Sequence, residues 1–591
     1  MEKTAFILAI CAGIIFAHNC CNINKKQLLL NNQDTPVHIS YSQYGAYLSG
    51  RMAHIRHDLN KAADYYIIAS ETAPKDQMLP SQLYVMLTSQ GRVDEAVKYA
   101  DEALKNDDNS PFIYTIKAVY DAKQQNYQKS IDDIKSCNNP FAQEIFMPVM
   151  NAWNYAGMSQ YDNAIHSLNT LLRNKHLHGM YLLHAAAISD YLNKTKEADF
   201  FYTALLRGKR IGTSAFPLQI ISNFYLRQGN YDKVNDIIKI SSAHENPTIK
   251  HIIKEIKQSV DEKSPVSPIL DSPSVGISDA LFGIALMLQA DGHSDEISLL
   301  FASLATYSNP RYDIPKILMG NILDNKELYR EANEIYAQIT DEQPNYFIAQ
   351  FQIAKNLIVI GKYAEAEAIL HKLIRISPQN HDLYINLGEI MRFTKRYHDA
   401  IIYYQKAIDL YPQNYKEQSW LILLAQAAAY DASGDRENTE KTLRTILELT
   451  PNYLVKNHLG YTLIRNGKDI DEAFELIIDA YNEAPNDGSV IDSLGWALYK
   501  IGYYPQAVKY LEQASDLSPS EAVIYDHLGD AYWEVGRKNE AVFQWNHALS
   551  MKDDSGEIVP ELIKQKISQG KKTSTPVVFD KEKIDSMLPQ E

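Results

Sequence analysis

A period of 34 residues constrains this chain more than any other feature. Gly529 follows Gly495 by 34 residues, and Gly495 follows Gly460 by 35. In the same register Ala507 and Ala541 share one column, and Ala514 and Ala548 another. A repeat of this length accommodates two helices and a turn, and no such unit buries its apolar face alone. Neighbouring units must therefore stack. The one extra residue falls at Lys468–Ile470, where a turn absorbs an insertion at little cost.

Side-chain size follows the period. Small residues at Gly388, Ala400 and Ala407 let two helices approach closely, while Leu387, Tyr384 and Tyr404 fill the space between them. Pro412 has no backbone N–H and disfavours a helical residue before it, so the second helix stops there. Gly361, Gly502 and Gly536 fit the tight turn between the helices. Leu-Gly followed by Ala, Ala and Pro at these offsets resembles the tetratricopeptide repeat. The resemblance implies an all-α superhelical solenoid of antiparallel helix pairs.

The period covers residues 43–555, in about fourteen units. Gly50, Ala62, Tyr66, Ala69 and Pro74 mark the first, and Gly91, Ala96 and Ala103 the second. Ala118, Ala152, Ala186 and Ser222 are the small residues of the next four. Pro265, Pro268 and Pro273 then break the pattern, which gives a first array over 41–246 and a helix with a proline-rich linker over 247–275. The helix is expected at Lys250–Val260. A second array of about eight units follows over 276–555. Residues 556–591 read as a capping helix, with Ile558, Leu562, Ile563 and Ile567 as its apolar stripe, and a mobile tail.

The N-terminus carries one lysine before an apolar run from Ala5 to Ala17, too short to span a bilayer comfortably but suited to a secretory signal. Residues 1–20 are accordingly expected to be a signal peptide or a membrane or lipid anchor, with 21–40 a linker. Cys20 allows lipidation, although Asn19 makes a poor lipobox. The expected location is exported, periplasmic or envelope-associated, with a cytoplasmic chain as the alternative. A formal net charge of −15 with no basic patch argues against nucleic acid. Three of the four cysteines lie within the first 21 residues, so no disulfide framework or zinc spacing emerges.

Catalytic signals are absent from the sequence. His54 and His57 share a helical face but lack a third ligand, and His176 and His178 fall in a turn. No phosphate-binding glycine loop, dinucleotide fingerprint or nucleophile elbow occurs. The non-repeat segments are too short for a catalytic domain. The chain reads as no enzyme, with no cofactor, metal or catalytic residue.

In the family resembled, residues of the first helix line the binding groove. By register that places Asp492, Trp496 and Tyr499 beside Asp526, Asp530 and Trp533, an acidic surface walled with aromatics. Such a surface suits a basic or amphipathic protein segment; packing of Trp496 and Trp533 against neighbouring repeats or the cap is the competing reading. Acidic C-terminal tails are disfavoured as ligands, because the positions that would bind them hold acids or aromatics. The resemblance extends to exported bacterial multi-repeat proteins. It implies an envelope scaffold or, alternatively, a regulatory subunit of a polysaccharide, secretion or other enzyme complex.

Overall fold

A computed structural model describes residues 42–571, apart from 57, 73–77, 107, 140–141, 209–214, 243–246, 264, 291–294, 413–417 and 552–557. The leader, its cysteines, the 21–40 linker, His57, Pro74 and the tail beyond Lys571 lie outside the described residues. Among those described, every regular element is helical.

The chain divides into a short unit ending at Leu79 and a long one beginning at Pro80. The short unit is a single antiparallel pair, Gln43–Ile55 and Leu59–Thr72, opened by Ser42, whose hydroxyl accepts from the Gly45 N–H. A Cβ at Gly50 would come within 2.7 Å of the Tyr66 ring, so the glycine sets how closely the pair packs.

In the long unit the same construction recurs. Gly388 faces Tyr404, Gly495 faces Leu511 and Gly529 faces Trp545, each pair sixteen residues apart, with Cβ clearances of 2.5–2.7 Å. Gly460 faces Ile477, one residue further, because the intervening turn holds the inserted residue. Five pairs run from Leu79–Ser89 to Tyr231–Ser241, and eight more run from Pro273–Ala290 to Lys538–Ser550. Between these sets lies helix Pro247–Glu262, longer at both ends than the sequence suggests.

The turns share one backbone device. A left-handed residue occurs at 91, 125, 159, 193 and 229, and again at 327, 361, 395, 434, 467, 502 and 536. At Gly502 this lets the Gly502 and Tyr503 N–H groups donate to Tyr499 and Leu498 carbonyls, satisfying helix-end acceptors. Several turns place a residue with a side chain there, Gln125, Ser159, Asn193, Glu327 and Lys395 among them. The period therefore persists in the backbone where the glycine signal lapses.

The proline-rich break is not a free spacer. Pro273 opens a helix, at a position where its missing N–H is harmless. Helix Pro273–Ala290 packs on helix Met147–Gly157, with Gly276 so close to the Trp153 indole that a Cβ would overlap it. The next helix, Asp295–Ser308, sets Phe301 edge-on to Phe112 and Phe146. Its Ser303 hydroxyl donates to the Thr88 carbonyl at 2.5 Å, and the Lys123 ammonium donates to the Ser308 carbonyl at 2.8 Å. Asn223 holds the linker itself, donating to the Ser267 carbonyl at 2.8 Å and accepting from the Ile269 N–H at 3.3 Å. Helices Pro273–Ala290 and Asp295–Ser308 thus lie along first helices of the preceding repeats of the long unit. Helix Pro273–Ala290 is long and apolar enough to cross a membrane, but more than half of it is buried in this packing.

Candidate partner-binding site

The last two repeats are built from helices Gly488–Lys500 with Tyr504–Leu517 and Ala522–Glu534 with Lys538–Ser550. Asp487 caps the first, its carboxylate accepting from the Ser489 N–H at 3.0 Å. One continuous core runs from the preceding repeat through these two: Leu459, then Leu494, Leu511, Leu528 and Trp545, closing on Ile563 of helix Pro560–Gln569. Tyr499 belongs to that core and Trp496 packs against it; with Asp492 they lie on the first helix, beside Asp526, Asp530 and Trp533 of the next.

The structure brings all six together, and it engages them within the molecule. The Asp492 carboxylate meets Nδ1 of His527 at 2.9 Å. Trp496 stacks on His527 with ring centroids 3.8 Å apart, and on Tyr499 at 4.8 Å. Asp530 is 3% exposed and accepts from the Trp545 indole N–H at 3.1 Å. Lys566 lies between two carboxylates, 2.8 Å from Asp526 and 2.8 Å from Asp530. Lys571 reaches Asp530 at 2.7 Å, contacts the Tyr499 hydroxyl and lies over the Tyr499 ring. Gly570, in a left-handed conformation, presses against Trp533, where a Cβ would come within 2.6 Å of the indole.

The electrostatics match this arrangement. Burial, and then the neighbouring Asp530 charge, raise the Asp526 carboxyl above its ordinary value, while Lys566 opposes the rise. Burial lowers Lys500, and the charge of Lys571 lowers it further. Two carboxylates this close together and largely out of water need cations against them. The cap supplies two.

These contacts are all made within the chain. Trp533 packs against Trp545 at 5.4 Å and Trp496 against its neighbours, as the packing reading requires. The acids meet a basic amphipathic segment, which is this chain's own C-terminal helix. His527, Lys566 and Lys571 escaped the sequence reading. The signal was available: Lys566 shares an amphipathic helix with Ile563, and Lys571 follows one turn later.

Towards the middle of the second array the same face is less occupied. Phe351, Ile385 and Leu424, each three residues before the small residue of its helix, are only partly buried. Arg465 crosses from one repeat to Asp431 of the preceding one, with Nη1 3.0 Å from the carboxylate. Elsewhere His54, His176 and His178 are exposed, and no three potential metal ligands converge among the described residues. Cys137 is buried and unpaired.

Comparison with known proteins agrees with the repeat geometry. Tetratricopeptide-repeat family models match residues 381–414 and 490–521. A TPR repeat-containing protein of Pseudomonas aeruginosa is 27% identical over 198 residues, 33% of this chain. The chain spans about a third, 32%, of that relative's length. Among solved structures, the APC/C hetero-tetramer Cut9–Hcn1 is 15% identical with a TM-score of 0.35, covering 89% of this chain and 96% of its own. Yeast Tom70 is 13% identical with a TM-score of 0.32, covering 89% and 95%. YrrB, described as a TPR protein with an unusual peptide-binding site, is 17% identical with a TM-score of 0.24, covering 31% and 93%. The chain carries tetratricopeptide repeats, matched by family models at two sites and continued by helix pairs of the same spacing.

Proposed function

We propose that the chain is a non-enzymatic interaction scaffold of the bacterial cell envelope, binding partner segments along the face formed by the first helices of its repeats. The observation that carries this reading is the row Phe351, Ile385 and Leu424, apolar side chains left partly open at equivalent positions of three repeats. Apolar side chains left partly open at equivalent positions of three stacked repeats offer a long surface to an extended or helical segment. The envelope location is supported by the apolar run Ala5–Ala17, and a bacterial source by the Pseudomonas relative.

A photo-crosslinking residue placed at Ile385 should capture discrete partners in cells. The same residue at Ile402, which is 65% exposed on the second helix of that repeat, should not. Equal labelling from both positions would sink the groove. An intact Met1 together with purely cytoplasmic partners would sink the envelope location. Recovery of a polysaccharide synthase or secretion enzyme as the partner would instead favour a regulatory subunit.

A further inference from the structure

The attachment of the C-terminal segment is chemically lopsided. Of helix Pro560–Gln569, only Ile563 is buried, while Leu562 is 56% exposed and Glu561 and Lys564 point to solvent. Ile558 and Ile567 also pack, partly buried, against the same core. Beyond these apolar contacts the grip comes from side chains that recognise specific groups. Asp526 and Asp530 clasp Lys566, Asp530 and Tyr499 hold Lys571, and Trp533 presents a flat surface that only a glycine can approach at position 570.

These contacts define a pattern: an aliphatic residue, a lysine three positions on, then glycine and lysine four and five positions after that. Nothing in the contacts requires that the pattern be joined to this chain. A tethered segment benefits from an effective concentration of about millimolar, which can sustain modest intrinsic affinity. The same contacts made by an untethered segment would have to displace the resident one.

We propose that the last two repeats are a receptor for a basic amphipathic helix of this pattern, that Pro560–Lys571 is its resting occupant, and that a partner protein's helix binds by replacing it. The proposal rests on the scaffold reading and specifies both the partner chemistry and a built-in competitor.

The test uses the full chain and a labelled peptide, Ile558–Lys571. In Lys566→Glu/Lys571→Glu the resident segment loses both ionic contacts. That variant should bind the peptide at least ten-fold more tightly than the unmodified chain does, and adding Asp530→Asn should abolish the gain. Equal binding by both chains, or no binding by a variant whose circular dichroism is unchanged, would overturn the proposal. If the variant loses helicity, a protease site inserted within 552–557 allows the segment to be cut free in the otherwise native chain. Excess labelled peptide should then exchange with it, observed by native mass spectrometry; a severed segment that never exchanges overturns the proposal. An unmodified chain that proves dimeric by light scattering, with the segment exchanged between copies, would reassign the site to a second copy. Failure of the peptide assay would leave the Ile385 crosslinking result untouched, and the converse also holds.

Discussion

Lys395 occupies a left-handed turn with φ of 60°, a conformation that disfavours a side chain by about 1 kcal/mol. Lys395→Gly should raise stability by roughly 0.5–1 kcal/mol, read as a shift of the denaturation midpoint without a change in slope. Lower stability would mean that the lysine side chain contributes more than its backbone conformation costs. His184 makes the opposite kind of statement. Burial lowers its imidazole to about 4, and its Nδ1 accepts from the Trp153 indole N–H at 3.2 Å. The folded chain therefore holds this histidine neutral while the unfolded chain protonates it below about 6.5. Its stabilisation is full above that value and declines as pH falls from 6.5 towards 4, by about 2 kcal/mol between pH 7.5 and 5. His184→Gln should flatten that part of the stability profile, and an unchanged slope would refute the assignment. Neither residue could be singled out from sequence: the lysine stands where the repeat favours glycine, and the histidine's partner lies 31 residues away.

At the scale of elements, the helix pairs were legible because close approach demands small residues at a fixed spacing. Gly388, Gly495 and Gly529 announce themselves by the bulky side chains they face. The site was legible only by half. Register alone placed Asp492, Trp496, Tyr499, Asp526, Asp530 and Trp533 on one side, but periodicity says nothing about which non-repeat segment returns to cover them. From sequence, Asp526→Lys with Asp530→Lys reads as a surface change that leaves the fold intact. With both carboxylates engaged by the cap, that substitution would set four ammonium groups against one another beside the Trp545 indole. The C-terminal helix should detach, seen as early proteolytic cleavage beyond Ser550, while helices before Tyr453 keep their protection. A cap that resists cleavage in the variant would show that its apolar contacts alone anchor it.

On the scale of the whole molecule, the linker is the largest departure from a simple reading. Three prolines in nine residues suggest a spacer, yet the chain after it packs back on repeats formed roughly 120–215 residues earlier. The close fit of Gly276 on Trp153 makes this packing testable. Gly276→Leu should reduce hydrogen-exchange protection in Met147–Gly157 and in residues 273–308 together, with the repeats from His381 onward unaffected. Loss confined to 273–290 would indicate that the two regions do not share a cooperative unit. The contacts from Ser303 to Thr88 and from Tyr307 to Asp94 span 215 and 213 positions of sequence. A ribosome adds about 5–20 residues per second, so the early repeats wait roughly 10–40 s for the segment that covers them. Phe112, Phe146 and Trp153 wait for Phe301 and Gly276, roughly 6–40 s at the same rate, facing water or a chaperone meanwhile, and the window in which this protein can misassemble is set by its own rate of synthesis.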